Sequence, residues 1–112
     1  MGSSLPAAAI LVLTSLPDVE AARRIARELV EARLAACVQI GAPVESLYHW
    51  QGRLETATEI PLAIKARRDA FPALSQAIRE RHPYELPEII AVDLIDALPD
   101  YLRWIEDETR PA

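Results

Sequence analysis

Two residue types in this chain can bind a soft metal or move a proton near neutral pH. They are the single thiol, Cys37, and the imidazoles of His49 and His82. Thiolate favours copper or zinc, and imidazole suits copper too. Cys37 lies in an apolar run, where a lone cysteine also serves as a small buried hydrophobe. His82 stands before Pro83 at the end of a helical pattern. A helix C-terminus favours an imidazolium, so His82 fits a capping role as well as a ligand or pocket role. His49 adjoins a turn and is expected to face solvent. No Cys/His spacing meets a structural zinc pattern.

Lys65 and Glu59 fall on the polar side of an alternating segment, where each is either a solvated charge or part of an anionic pocket. Strand geometry sets them ~20 Å apart, too far for a direct pair. Tyr48, Trp50 and Tyr84 suit either packing anchors or the walls of a cleft, and Trp104 is read as a packing anchor. An enzyme here would use His82 as acid or base near Glu85 and Lys65, within hydrogen-bond reach of a substrate. The sequence has no P-loop, no G-x-S-x-G and no dinucleotide fingerprint.

The elements that must position these side chains follow from periodicity. Ala8 to Thr14 is a continuous apolar run of strand length. Pro17-Asp18 ends it, and Asp18 is a candidate helix cap. Ala22, Ile25, Ala26, Leu29, Val30 and Leu34 recur at three and four, the stripe of an amphipathic helix. Glu20/Arg24, Arg24/Glu28 and Arg27/Glu31 lie four apart on its wet side. Ala36 to Ile40 is a second strand, interrupted by Gly41-Ala42-Pro43 and resumed from Val44 to Trp50. Gln51-Gly52 marks a hairpin turn. In the next strand Leu54, Thr56, Thr58, Ile60, Leu62, Ile64 and Ala66 share one face, and Arg53, Glu55, Glu59, Lys65 and Arg67 share the other. Pro61 removes a ladder donor and needs an edge or a bulge. Asp69 is expected to cap a second helix that His82-Pro83 ends. Glu88 to Leu94 is a further strand, and Leu98 to Thr109 a closing helix begun at Pro99-Asp100.

The order β-α-β-β-α-β-α predicts an α+β fold, the ferredoxin-like split βαβ (βαββαβ) with a C-terminal helix. Right-handed crossovers put both main helices on one face of an antiparallel sheet and leave the other face open. An open face and long hairpin strands point to self-association.

At 112 residues the chain makes one domain, taken as 8–112 behind a flexible segment at 1–7. A net charge of −5 argues against nucleic acid as a partner. No long apolar run predicts a membrane span, and the start lacks the pattern of a secretory signal or a myristoylation site. One cysteine excludes an internal disulfide framework. The expected compartment is the cytoplasm.

Five segments together resemble those of one known family. Leu34-Ala35-Ala36-Cys37-Val38-Gln39-Ile40 resembles its L-A-A-C-V-N-I segment, with Gln39 in place of Asn. Tyr48-His49-Trp50-Gln51-Gly52 resembles its Y-x-W-x-G hairpin, and Ile64-Lys65 the end of its next strand. His82-Pro83-Tyr84-Glu85-Leu86-Pro87-Glu88-Ile89 matches H-P-Y-E-x-P-E-I. Tyr101-Leu102-Arg103-Trp104-Ile105 matches its closing helix, and taken together the segments resemble the CutA family of divalent-cation tolerance proteins. The resemblance implies a homotrimer similar in architecture to PII signalling proteins, in which strands of neighbouring subunits extend one another's sheets. It implies a cleft between subunits that holds the signature residues, here Tyr48, Trp50, Glu59, Lys65, Tyr84 and Glu85. It implies a link to tolerance of copper and other divalent cations, with Cys37 and His82 as candidate metal ligands, no metal needed for folding and no agreed catalytic activity. Thr14 and Arg81 stand where some relatives carry a further Cys and His. A full metal site therefore needs ligands from another subunit or carboxylates such as Glu59, Glu85 or Glu88. The implied function is a trimer that binds or senses a divalent metal, copper first, or a small ligand. A structural anchoring scaffold and an enzyme using His82 are the alternatives.

Overall fold

The computed structural model describes residues 7–109. The expected flexible segment therefore lies outside the described residues except for Ala7, and the last three residues of the expected domain lie outside them too.

The chain runs β1 (Ala9–Leu16), α1 (Val19–Glu31), β2 (Cys37–Ile40), β3 (Val44–Trp50), β4 (Arg53–Arg67), a 3-10 turn (Arg68–Ala70), α2 (Phe71–Arg81), β5 (Ile90–Asp93) and α3 (Pro99–Glu108). The five-stranded sheet has the order β2-β4-β1-β5, with β3 paired to the other half of β4. Its ladders are antiparallel. This is the expected α+β plan with its C-terminal helix. Even-numbered residues of β1 and of the second half of β4 (Ile10, Val12, Leu16, Ile60, Leu62, Ile64) form the core with Ala22, Ile25 and Leu29 of α1 and Leu74 and Ile78 of α2. Burying each large aliphatic chain contributes about 1.5–3 kcal/mol.

Local chemistry sets the helix ends. The Asp18 carboxylate accepts the Ala21 N–H at 2.8 Å, the expected N-cap of α1. At the other end Arg33 takes the left-handed conformation (φ 59). The Arg33 and Leu34 N–H groups then bond back to the Val30 and Leu29 carbonyls, a Schellman closure without its usual glycine. Val30 departs from the expected stripe and is 41% exposed, because the stripe that meets the sheet is Ala21, Ala22, Ile25, Ala26 and Leu29. Glu28, expected to pair along its own helix, instead takes the Arg81 guanidinium of α2 at 2.6 Å. Asp69 does not cap α2. The 3-10 turn moves the helix start to Phe71 behind Ala70, and Asp69 holds Arg67 through two bonds of 2.9 and 2.6 Å. β5 is shorter than expected, pairing only Ile90–Asp93 with Leu13–Ile10 of β1.

Pro61 finds the bulge it requires. Ile40 opposes Leu62 and Val44 opposes Glu59, so Gly41, Ala42 and Pro43 face only Ile60 and Pro61. One extra residue in the partner strand is a β-bulge. The Gly41 N–H reaches the Pro61 carbonyl at 2.9 Å. A Cβ on Gly41 would lie 2.9 Å from the Pro61 ring, closer than van der Waals contact permits. Gly41→Ala must displace that ring or the bulge, and is expected to cost about 1–3 kcal/mol. A lowered urea midpoint at fixed protein concentration is the readout; an unchanged midpoint would show that the bulge yields freely.

Beyond the bulge, β3 and the first half of β4 leave the helices behind as a two-stranded arm. Gln51 (φ 52) and Gly52 (φ 79) turn it, both at positive φ as in a type I′ hairpin. The sheet face opposite α1 and α2 is not wholly open, as the topology alone suggests. α3 covers one end of it, setting Ile105 against Ala9 and Ala36 with Leu94 and Leu102 beside them.

Thr14 leaves one core defect. It is 2% exposed and its hydroxyl has no hydrogen-bond partner among the described residues. Thr14→Val removes the unpaired group at nearly constant shape and is expected to stabilise the protein by about 1 kcal/mol. A raised urea midpoint tests this; a lowered one would mean that the hydroxyl is satisfied in solution.

Candidate functional site

The bulge decides which side chains share a face. Before it, Cys37 opposes Lys65; after it, Val44 opposes Glu59, Tyr48 opposes Glu55 and Trp50 opposes Arg53. Directly opposed residues project to the same side of a sheet. Cys37, Tyr48, Trp50, Glu59 and Lys65 therefore all lie on the side away from α1 and α2. Without the extra residue, Tyr48 and Trp50 would point to the opposite side.

Around this face the candidates form two groups. In the first, the segment after α2 carries His82 and Tyr84 over the end of β1. His82 is buried. Its Nε2 lies 2.8 Å from the Ser15 carbonyl oxygen, and its Nδ1 accepts the Tyr84 N–H at 3.2 Å. A carbonyl can only accept, so Nε2 carries the hydrogen and the ring is the neutral tautomer. Burial lowers the His82 pKa from its ordinary value, against the opposing pull of the Ser15 carbonyl and the Glu59 charge. The Tyr84 ring packs on the imidazole at 4.8 Å. Its phenol is pushed up to about 12, first by burial and then by its hydrogen bond to Glu59 and the charges of Glu59, Tyr48 and Asp18. At neutral pH the phenol is protonated.

In the second group, Lys65 donates to the Tyr101 hydroxyl at 3.2 Å, with its ammonium 5.4 Å from the centre of that ring. Tyr101 stacks on Trp104 at 5.5 Å. Trp104 remains 42% exposed, so its packing within the chain is confined to one side. Cys37, half-buried, opposes Lys65 on the neighbouring strand.

The structure thus brings together His82, Tyr84 and Glu59, and separately Cys37 and Lys65. It does not bring Cys37 to His82 within one chain. Cys37 lies in the row of Lys65 and Leu11, whereas His82 bonds Ser15, about 13 Å further along β1. Glu85, Glu88 and His49 are exposed. Among the described residues no group of His, Cys, Asp and Glu is arranged to hold a metal ion. Two surface hollows, of about 410 and 510 Å³, lie around Arg68 and Pro72 at the start of α2, away from every candidate. Tyr101, Asp18 and Ser15 are site members missing from the expected set. Tyr101 was present in the sequence as part of the Y-L-x-W-I segment, and Asp18 as a helix cap; nothing local marked the Ser15 carbonyl.

The fold and site define a ferredoxin-like sandwich whose hairpin arm and half-covered sheet face carry a row of polar and aromatic side chains. The model of the CutA1 divalent ion tolerance protein family matches residues 10–108, and the chain belongs to that family. It is 41% identical to the divalent-cation tolerance protein CutA of Thermus thermophilus, over 88% of this chain and 96% of that one. It is 36% identical to protein CutA of Mus musculus over 94% of this chain, but spans only 59% of that longer protein. Among solved structures it is similar to CutA1 from the psychrotrophic Shewanella sp. SIB1, with a TM-score of 0.90, 44% identity and 94% and 98% of the two chains covered. It is also similar to a CutA from Archaeoglobus fulgidus described as a periplasmic divalent cation tolerance protein, with a TM-score of 0.88, 33% identity and 91% and 99% covered. No helix among the described residues is long and apolar enough to cross a membrane.

Proposed function

We propose that this divalent-cation tolerance protein is a binding protein and not an enzyme, working as a homotrimer whose inter-subunit cleft takes up a divalent metal ion, copper first, or a small ligand. The observation that carries the reading is the gathering of Cys37, Tyr48, Trp50, Glu59 and Lys65 on the sheet face that α1 and α2 leave free, with Tyr84 brought up to Glu59. The arm supports the trimer. Leu47 and Leu54 are 62% and 66% exposed on one side of it, and Tyr48 and Trp50 are 44% and 37% exposed on the other. Apolar groups on both sides of a two-stranded ribbon suit enclosure by neighbouring copies.

A copper site on Cys37 draws its further donors from a neighbouring copy, and His82 joins it only by leaving the Ser15 carbonyl and the Tyr84 N–H. The same two bonds argue against His82 as a general acid or base, since neither ring nitrogen is free to exchange a proton with a substrate. No metal is assigned a part in folding, because the core is apolar. The net charge of −5 favours cations over nucleic acid as partners. The cytoplasm is the proposed compartment. A second reading, a rigid anchoring scaffold, is favoured by one fact: Lys65 is already engaged by Tyr101, through the hydroxyl and the ring face.

Native mass spectrometry with copper(II) titrated into wild type, Cys37→Ala and His82→Ala tests the proposal. The expected result is a trimer that takes up stoichiometric copper, with affinity reduced at least about tenfold in Cys37→Ala, as for loss of a ligand or its support. A trimer that binds copper equally in all three, or not at all, would remove the metal and leave the small-ligand and scaffold readings. A monomer would remove the cleft itself.

A further inference from the structure

We draw no further inference here: the strongest candidate, the apolar strip made by Ile90 and Val92 of the outer strand β5, Ile95 and Leu98 of the loop after it and the Tyr101–Trp104 stack of α3, is an unpartnered face on which nothing in the structure shows any occupant other than the neighbouring copy already proposed.

Discussion

The double variant Leu47→Asp, Leu54→Asp is expected to run at one third of the wild-type native mass at micromolar concentration. Leu47 opposes Thr56 and His49 opposes Leu54, so the two leucines are diagonal neighbours on one side of the arm. They continue the row of Ile60, Leu62 and Ile64, but past the point where α1 and α2 supply cover. An isolated two-stranded ribbon is marginal in water, so an arm of this kind gains its order from what encloses it. Burying two leucines contributes about 3–6 kcal/mol per copy. At 1.4 kcal/mol per tenfold, that is roughly two to four decades of affinity per copy before the cost of desolvating two carboxylates is added. The substitutions leave the core untouched, so far-UV circular dichroism should still report a folded chain. A trimer of unchanged mass in the variant would mean that the arm is not the contact, and the cleft proposed between copies would lose its main support.

Much of this architecture was legible in the sequence because it is local. The alternation from Leu54 to Ala66 fixes β4 and its buried side, Asp18 marks the start of α1, and Gln51-Gly52 marks the hairpin. Pro61 even announced that something irregular must lie beside it. What Pro61 could not say is that the irregularity is one extra residue at Gly41–Pro43, which moves Tyr48 and Trp50 to the side of Glu59. A single residue of register decides the composition of the site, and periodicity is blind to it because both strands look extended on either side of the bulge.

The misread residues have a common cause. Asp69 has the chemistry of a cap, but Arg67 two residues away outbids the helix N-terminus with a bidentate charge-assisted pair. Glu28 has an arginine four residues before it, yet Arg81, distant in sequence, meets it across the α1–α2 contact. For a charged side chain the partner is chosen by tertiary proximity, and helix spacing supplies only one of the competitors. Lys65 likewise finds its partner by tertiary proximity: its ammonium goes to Tyr101 of α3, 36 residues further along the chain. The family resemblance implies one cleft for Lys65, Glu59 and Tyr84; within one copy Tyr84 lies by Glu59, whereas Lys65 bonds Tyr101.

Replacing His82 with phenylalanine is expected to cost about 1–3 kcal/mol at pH 8, from a part-buried carbonyl and a part-buried N–H both left without their partner. The carbonyl is Ser15's, 67 residues away in sequence, and the N–H is Tyr84's, so the loss would loosen β1 from the signature segment. The pH dependence separates this from a simple packing defect. The folded-state pKa of His82 lies below the unfolded value near 6.5, chiefly through burial. Above pH 6.5 the ring is neutral in both states and its stabilisation is fully present. As pH falls from 6.5 towards the folded pKa, the unfolded chain takes up a proton that the folded chain refuses, and stability declines. Protonation in the folded state would also place a hydrogen on Nδ1, where Tyr84 N–H needs a lone pair. Wild type should therefore lose stability below pH 6.5, while His82→Phe, already weakened, should change less over the same range. Urea midpoints from pH 5 to 8 at one protein concentration measure this, since the stability of an oligomer depends on protomer concentration. His49→Gln, at the exposed arm, is the control for the other imidazole. If wild type and His82→Phe fall in parallel as the solution is acidified, the ring is not held neutral by the Ser15 and Tyr84 bonds, and the tautomer assigned to it is wrong.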